Sequence, residues 1–180
     1  MQNVLVHHAL SCPNGGLVIA RHNEIHDEII HLARQNFSPN CARGEHLIHL
    51  GRSISEEEVH HGGSVPETRV DVSIWGLWES QTEAIIDVRF RNADTDSRNP
   101  VIMDKLLAGW EKLKKYKHGQ DCYNQRRHFS LFVLSVDGMM GKEALVVLAT
   151  LSQVMTAKTD EPILHVTGWV NGLIAVAVVG

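Results

Sequence analysis

The sequence predicts an α/β domain, a mixed sheet with helices on both faces. Three observations carry this. Arg69 to Asn92 alternates apolar and polar residues with period two on either side of a turn, the pattern of a strand hairpin. His128 to Val136, HFSLFVLSV, is strongly apolar, as suits a strand central in a sheet. Around these strands, Leu17–Phe37, Val101–His118, Lys142–Lys158 and Ile163–Val178 read as helices. The order helix, strand, hairpin, helix, strand, helix, helix calls for a layered mixed sheet.

Bulk properties narrow the class. At 180 residues the chain is expected to form one domain with a real core. Hydrophobic residues make up 43% and charged ones 21%, which fits a folded chain rather than a disordered one. The net charge of −4 offers no global basic field for nucleic acid. Cys12, Cys41 and Cys122 are odd in number and scattered, which points to a reducing, intracellular compartment rather than a disulfide framework. No cleavable signal is evident, and the most apolar stretch, Trp169 to Gly180, is too short to span a membrane, so no membrane partner is expected.

In chain order, the segment 1–16 carries His8 and Cys12, two of the four ligands that a structural zinc requires. Gly15 and Gly16 break the chain before the first helix. There Ile25, Ile29 and Leu32 recur at helical spacing, and His22 lies one turn before Ile25 on the same stripe. Arg21, Glu24, Asp27 and Glu28 flank that stripe as solvated charges, of which one acid at its edge could point into a site under the sheet. Ser38–Gly44 is loop and Glu45–Leu50 a first strand. Gly51–Pro66 is a polar loop whose His60 and His61 read as solvated rather than metal-binding.

The hairpin carries the chemistry. Val70, Val72 and Ile74 alternate with Asp71 and Ser73, and Ile86, Val88 and Phe90 with Asp87, Arg89 and Arg91. A hairpin centred on Glu79 sets Asp71 opposite Asp87, with Cβ atoms roughly 5 Å apart. Like charges at that distance need a cation between them or a raised pKa. A hard divalent ion such as Mg²⁺ suits two carboxylates. Two unrelated surface aspartates on an amphipathic hairpin are the open alternative.

The next helix places Ile102, Leu106, Gly109/Trp110, Leu113 and Tyr116 roughly in phase. Lys112 to Arg127 holds six Lys/Arg against Asp121 alone, a patch that meets phosphates or is simply a solvated helix face.

These motifs, in this order, resemble the restriction-enzyme-like endonuclease domains at the C-terminal end of non-LTR retrotransposon polyproteins, members of the PD-(D/E)XK nuclease superfamily. The likeness rests on His8–Gly16, on Arg21–Ile25 (RHNEI) and on the Val70–Arg89 block. It continues through the Glu111, Lys112, Tyr116 spacing, the Phe129–Ser135 strand and Gly168–Trp169. It implies a restriction-endonuclease-like mixed sheet flanked by helices on both faces over residues 17–180, with 1–16 the remnant of a truncated zinc knuckle.

By this resemblance Asp71 is the aspartate of the PD half-motif and Asp87 the acid of the second half-motif. His22 and Asn23 match the family's histidine–asparagine pair, and His8 and Cys12 its last two zinc ligands. Val70 stands where the family has proline, and Arg89 where it has lysine. The knuckle's cysteine pair is missing, as in a fragment of a longer polyprotein. The implied activity is metal-dependent hydrolysis of DNA, with Mg²⁺ (or Mn²⁺) on Asp71 and Asp87 and with Glu24 as a further ligand. Zinc is not expected in this fragment.

Arg89 would hold the phosphate. Lys112, four residues from Tyr116 and on its helical face, would take over the lysine role. Arg21, His22, Asn23, Arg91 and Lys115 would contact the substrate. DNA is the implied partner, RNA a second one through the parent element, and the nucleus the implied location. A rival reading is a catalytically inactive nucleic-acid-binding or scaffold module derived from a transposable element, which Arg89 and the truncated knuckle favour.

Overall fold

A computed structural model describes residues 17–49, 67–91, 100–135 and 138–179. His8, Cys12, His60 and His61 lie outside these residues, and so do the expectations attached to them. In chain order the elements are α1 (Leu17–Asn36), β1 (Ala42–Arg43), β2 (His46–His49), β3 (Glu67–Val70), β4 (Val72–Trp75) and β5 (Glu83–Arg91). They continue with α2 (Pro100–Asn124), β6 (Arg127–Ser135), α3 (Lys142–Thr159) and α4 (Ile163–Val179). The α/β class and the helix positions agree with the expectation.

The main sheet has the order β1-β4-β5-β6. β4 runs antiparallel to β1 and β5, whereas β5 and β6 are parallel. A parallel pair needs a long crossover, and α2 supplies it. The hairpin register is the expected one: Val72 faces Ile86 and Trp75 faces Glu83, centred on Glu79. Gly76 takes a left-handed φ of +82° and its N–H donates to Thr82 O, closing the turn.

Three features depart from expectation. The strand expected to run unbroken through Asp71 splits there, because β3 pairs with β2 in a separate ribbon while β4 joins the main sheet. β5 was expected to bury one face, yet Ile85 and Ile86 are both fully buried. β5 is a central strand with helices on both sides, so its alternation marks two buried faces of different polarity. On one side α1, α3 and α4 cover a core containing Ile25, Val72, Ile86, Val88, Phe132 and Val170. On the other, α2 sets Leu107 and Trp110 on Leu131 and Val133.

The third departure is the phase of α2. Leu113 and Tyr116, expected to face the core, are 70% and 89% exposed. The stripe turned to the sheet is Leu107, Trp110, Glu111, Lys114 and Cys122, about a third of a turn away. Glu111 and Lys114 find partners at the sheet, and their placement there turns the leucine–tyrosine stripe outward.

The outer edge of β6 is covered by its own continuation. Gly141 N–H donates to Val133 O, Ser135 N–H to Met139 O, and Leu131 N–H to the Glu143 carboxylate. These bonds satisfy an edge that would otherwise offer pairing sites. Among the described residues no helix is long and apolar enough to cross a membrane.

Candidate active site around Asp71 and Asp87

Asp71 sits at the break between β3 and β4, where β5 loses its antiparallel neighbour. The N–H of Val88 would be orphaned there, and Asp71 Oδ2 accepts it at 2.7 Å. The same oxygen lies 3.3 Å from His22 Nε2, delivered by the first turns of α1. Burial pushes the Asp71 carboxyl upward. The His22 bond, the Val88 N–H and the nearby Arg89 charge together outweigh it and leave the pKa below the usual carboxylate range. The Asp71 hydrogen bond raises His22 against the opposing effect of burial, and Asn23 adds a second bond in the same direction.

Asp87 lies two residues before Arg89 on the α2-facing side of β5. Arg89 Nη2 is 2.7 Å from Asp87 Oδ1, and Lys114 Nζ is 3.2 Å from Oδ2. The lysine is within ion-pair distance but outside hydrogen-bond geometry, so Oδ2 is a buried acceptor with no hydrogen-bond partner among the described residues. Arg89 also acts electrostatically on both Asp71 and His22. Arg89 thus acts on both aspartates, Asp71 being held by His22 of α1 and Asp87 by Lys114 of α2.

The structure separates the other expected residues. Lys112 is exposed on the outer face of α2, and Lys114 occupies the place foreseen for it. Two residues along a helix is a rotation of about 200°, so the two lysines cannot serve the same face. Tyr116 shares the outward face. Lys115 pairs with Glu143 at 2.7 Å, away from Asp87. Glu24 is also about 200° from His22 and lines a groove with Trp169 of α4, so it is not placed as a third ligand. Arg21 is buried, with Nη1 lacking a hydrogen-bond partner among the described residues. Asn23 is exposed beside His22. Arg91 ends β5, and its side chain lies outside the described residues.

Lys114 is the group beside Asp87 that sequence reasoning missed; Glu111, named there only for its spacing from Lys112 and Tyr116, lies on the same sheet-facing stripe of α2. Glu111 Oε1 accepts the N–H of Glu143 at the start of α3. Desolvation, joined by the Glu143 charge, raises the Glu111 pKa. A signal for Lys114 was present: it falls on one helical face with Leu107, Trp110 and Cys122. Burial pushes the Cys122 thiol to about 11, which leaves no thiolate there at neutral pH.

The donor set can be tested against a divalent ion. Among the described residues no three His, Cys, Asp or Glu side chains group as a metal site. Mg²⁺, however, is commonly held by one or two carboxylates with waters and substrate phosphates. Asp87 Oδ2, which Lys114 approaches without a hydrogen bond, and the Asp71 carboxylate, whose Oδ2 takes the Val88 and His22 contacts, fit such an arrangement. Neither a protein-family model nor a curated protein sequence matches the chain.

Proposed function

We propose that the chain is a metal-dependent endonuclease domain of a retroelement polyprotein, hydrolysing phosphodiester bonds in DNA. The observation that carries this is one cluster. Asp71, in the break just before β4, accepts the Val88 N–H of β5, Arg89 acts on both carboxylates, and Lys114 arrives from the crossing helix. A mixed sheet with helices on both faces is also the architecture that the family resemblance implies.

Asp71 and Asp87 would hold Mg²⁺ or Mn²⁺, which supplies an activated water and neutralises charge on the phosphate. The chain's own groups do the rest. Arg89 keeps its charge and offers a planar fork to the phosphate oxygens, and Lys114 adds a point charge beside it. Both are held on Asp87 until a phosphate arrives. With Arg89 and Lys114 on the phosphate, the Asp87 carboxylate would be free to hold the ion. His22 and the Val88 N–H fix the Asp71 carboxylate in place.

Mg²⁺-dependent nicking of supercoiled plasmid by the purified chain tests the reading. Asp87→Asn abolishes nicking. Lys114→Ala lowers the rate by about a hundredfold, whereas Lys112→Ala leaves it near wild type. One observation favours the inactive-module reading instead: Asp87 is already neutralised by Arg89 and Lys114. DNA binding without nicking at any Mg²⁺ or Mn²⁺ concentration would decide for it.

A further inference from the structure

The side of the molecule opposite α2 carries a groove of about 730 Å³ between α1 and α4. One wall is acidic, with Glu24, Asp27 and Glu28 along little more than one turn of α1 and His31 following one turn on. The other is apolar, formed by Trp169, Leu173 and Val176 of α4. Among the described residues no lysine or arginine lines it, and Glu28 Oε1 is buried there with no hydrogen-bond partner. At Gly172 the wall has no side chain, and a Cβ added there meets nothing within 4 Å. Such a groove fits a helix with large apolar side chains along its crest and basic ones along an edge.

The chain itself presents that helix. On the outward face of α2, Leu106, Leu113 and Tyr116 fall within about 80° of one another, and Lys105 and Lys112 run along one edge. The chain's other segments do not match. Residues 1–16 contain no Lys or Arg, 50–66 have Arg52 against three glutamates, and 92–99 have Arg98 against two aspartates. The α2 face cannot reach its own groove, because α2 and the α1–α4 pair cover opposite faces of the sheet.

We infer that the groove takes α2 of a second copy of this chain. Apolar crest meets apolar wall, and Lys105 and Lys112 meet Glu24, Asp27 and Glu28. The contact is heterologous: each copy uses a different surface, so association continues into a ring or an open chain unless one surface is blocked. Leu113 also borders the small cavity lined by Arg89 and Lys114, so the contact lies beside the candidate site, but its test reads association and not cleavage.

Sedimentation velocity on the full chain tests this over a range of protein and salt concentrations. Wild type exceeds the 20.1 kDa monomer mass as concentration rises and returns toward it in high salt, where the charge pairing is screened. Gly172→Leu fills the groove from a position with open space, and Leu113→Glu spoils the exposed crest. Each variant alone associates at least about tenfold more weakly. Mixed in equal amounts they form a dimer and nothing larger, because one retains an intact crest and the other an intact groove. That mixed dimer also shows both variants to be folded. A wild type that stays monomeric throughout, as it would if the groove took a basic helix of another protein, overturns the inference. So does a mixture that stays monomeric, or a Leu113→Glu variant that associates as well as wild type.

Discussion

The two faces of the sheet are built differently. The face under α1, α3 and α4 is the more apolar: Ile25, Ile29, Leu32, Val72, Ile86, Val88 and Phe132 are all fully buried there, and the buried Arg21 and half-buried His22 stand toward the start of α1. The face under α2 holds a smaller apolar set, Leu107, Leu131 and Val133, and beside it Asp87, Arg89, Lys114 and Glu111. The first face supplies the stability on which the second face spends some. Buried charges cost desolvation, and they persist only where partners compensate. Asp87, Arg89 and Lys114 therefore sit on the face with less apolar filling, while Asp71, at the break before β4, is held by His22 from α1.

The sharpest break of this contrast is in the more apolar face. Phe132→Ala should destabilise the chain by about 3–5 kcal/mol, read as a shift in the urea midpoint, because transfer energy and a cavity add. A loss below about 1 kcal/mol would mean that the core collapses around the gap. Gly141→Ala comes next. A Cβ there would fall on Glu111 Oε1, whose carboxylate receives the Glu143 N–H, so the cap on α3 must shift at a cost of about 1–3 kcal/mol. Wild-type stability in that variant would show that the Glu111 contact is dispensable.

On the polar face the effects on stability are smaller. Asp87→Asn leaves Arg89 and Lys114 without a counter-charge. Their side chains are 44% and 28% exposed, so water screens them and the loss should be about 1 kcal/mol by chemical denaturation. Two like-charged aspartates facing each other without cations would instead gain stability on this change, so the sign of the measurement separates the two pictures.

The smallest effect is a pH dependence at His22 and Asp71. The His22 pKa is raised above its reference value of 6.5, so its contribution is full below pH 6.5 and is lost as pH rises through the folded value. The Asp71 pKa is lowered below 3.8, so its contribution is full above pH 3.8 and is lost as pH falls through the folded value. The pair therefore stabilises most between pH 3.8 and 6.5. His22→Gln should flatten the alkaline side of a Tm-against-pH curve, and NMR titration of His22 should show the raised midpoint. A midpoint at or below 6.5 would mean the contact is not kept in solution.

Much of the fold could be read directly. The hairpin register followed from period-two alternation about Glu79, since a slip of one residue would turn Val72 and Ile86 away from the core. The apolar run before Val136 predicted a strand, and β6 lies there. The expected helix starts at Leu17, Lys142 and Ile163 agree with α1, α3 and α4. The positions of Asp87, Arg89 and His22 followed from the apolar phase of β5 and α1, on which they sit, whereas Asp71 falls in the break between β3 and β4.

What the sequence by itself determined was local: the period of each segment, the turn between β4 and β5, and the pairing that follows from them. Which face of α2 meets the sheet was decided only by tertiary structure. Leu106, Leu113 and Tyr116 form an apolar stripe as convincing as Leu107, Trp110 and Cys122, and helical period alone cannot rank two stripes on one helix. The choice depends on partners far away in sequence: Asp87 for Lys114, the Glu143 N–H for Glu111, and Leu131 and Val133 for Leu107. The break at Asp71 has the same origin. Val70 and Val72 read as one strand until β2 and β5 compete for the two halves, and the Val88 N–H left over then takes the Asp71 carboxylate as its partner.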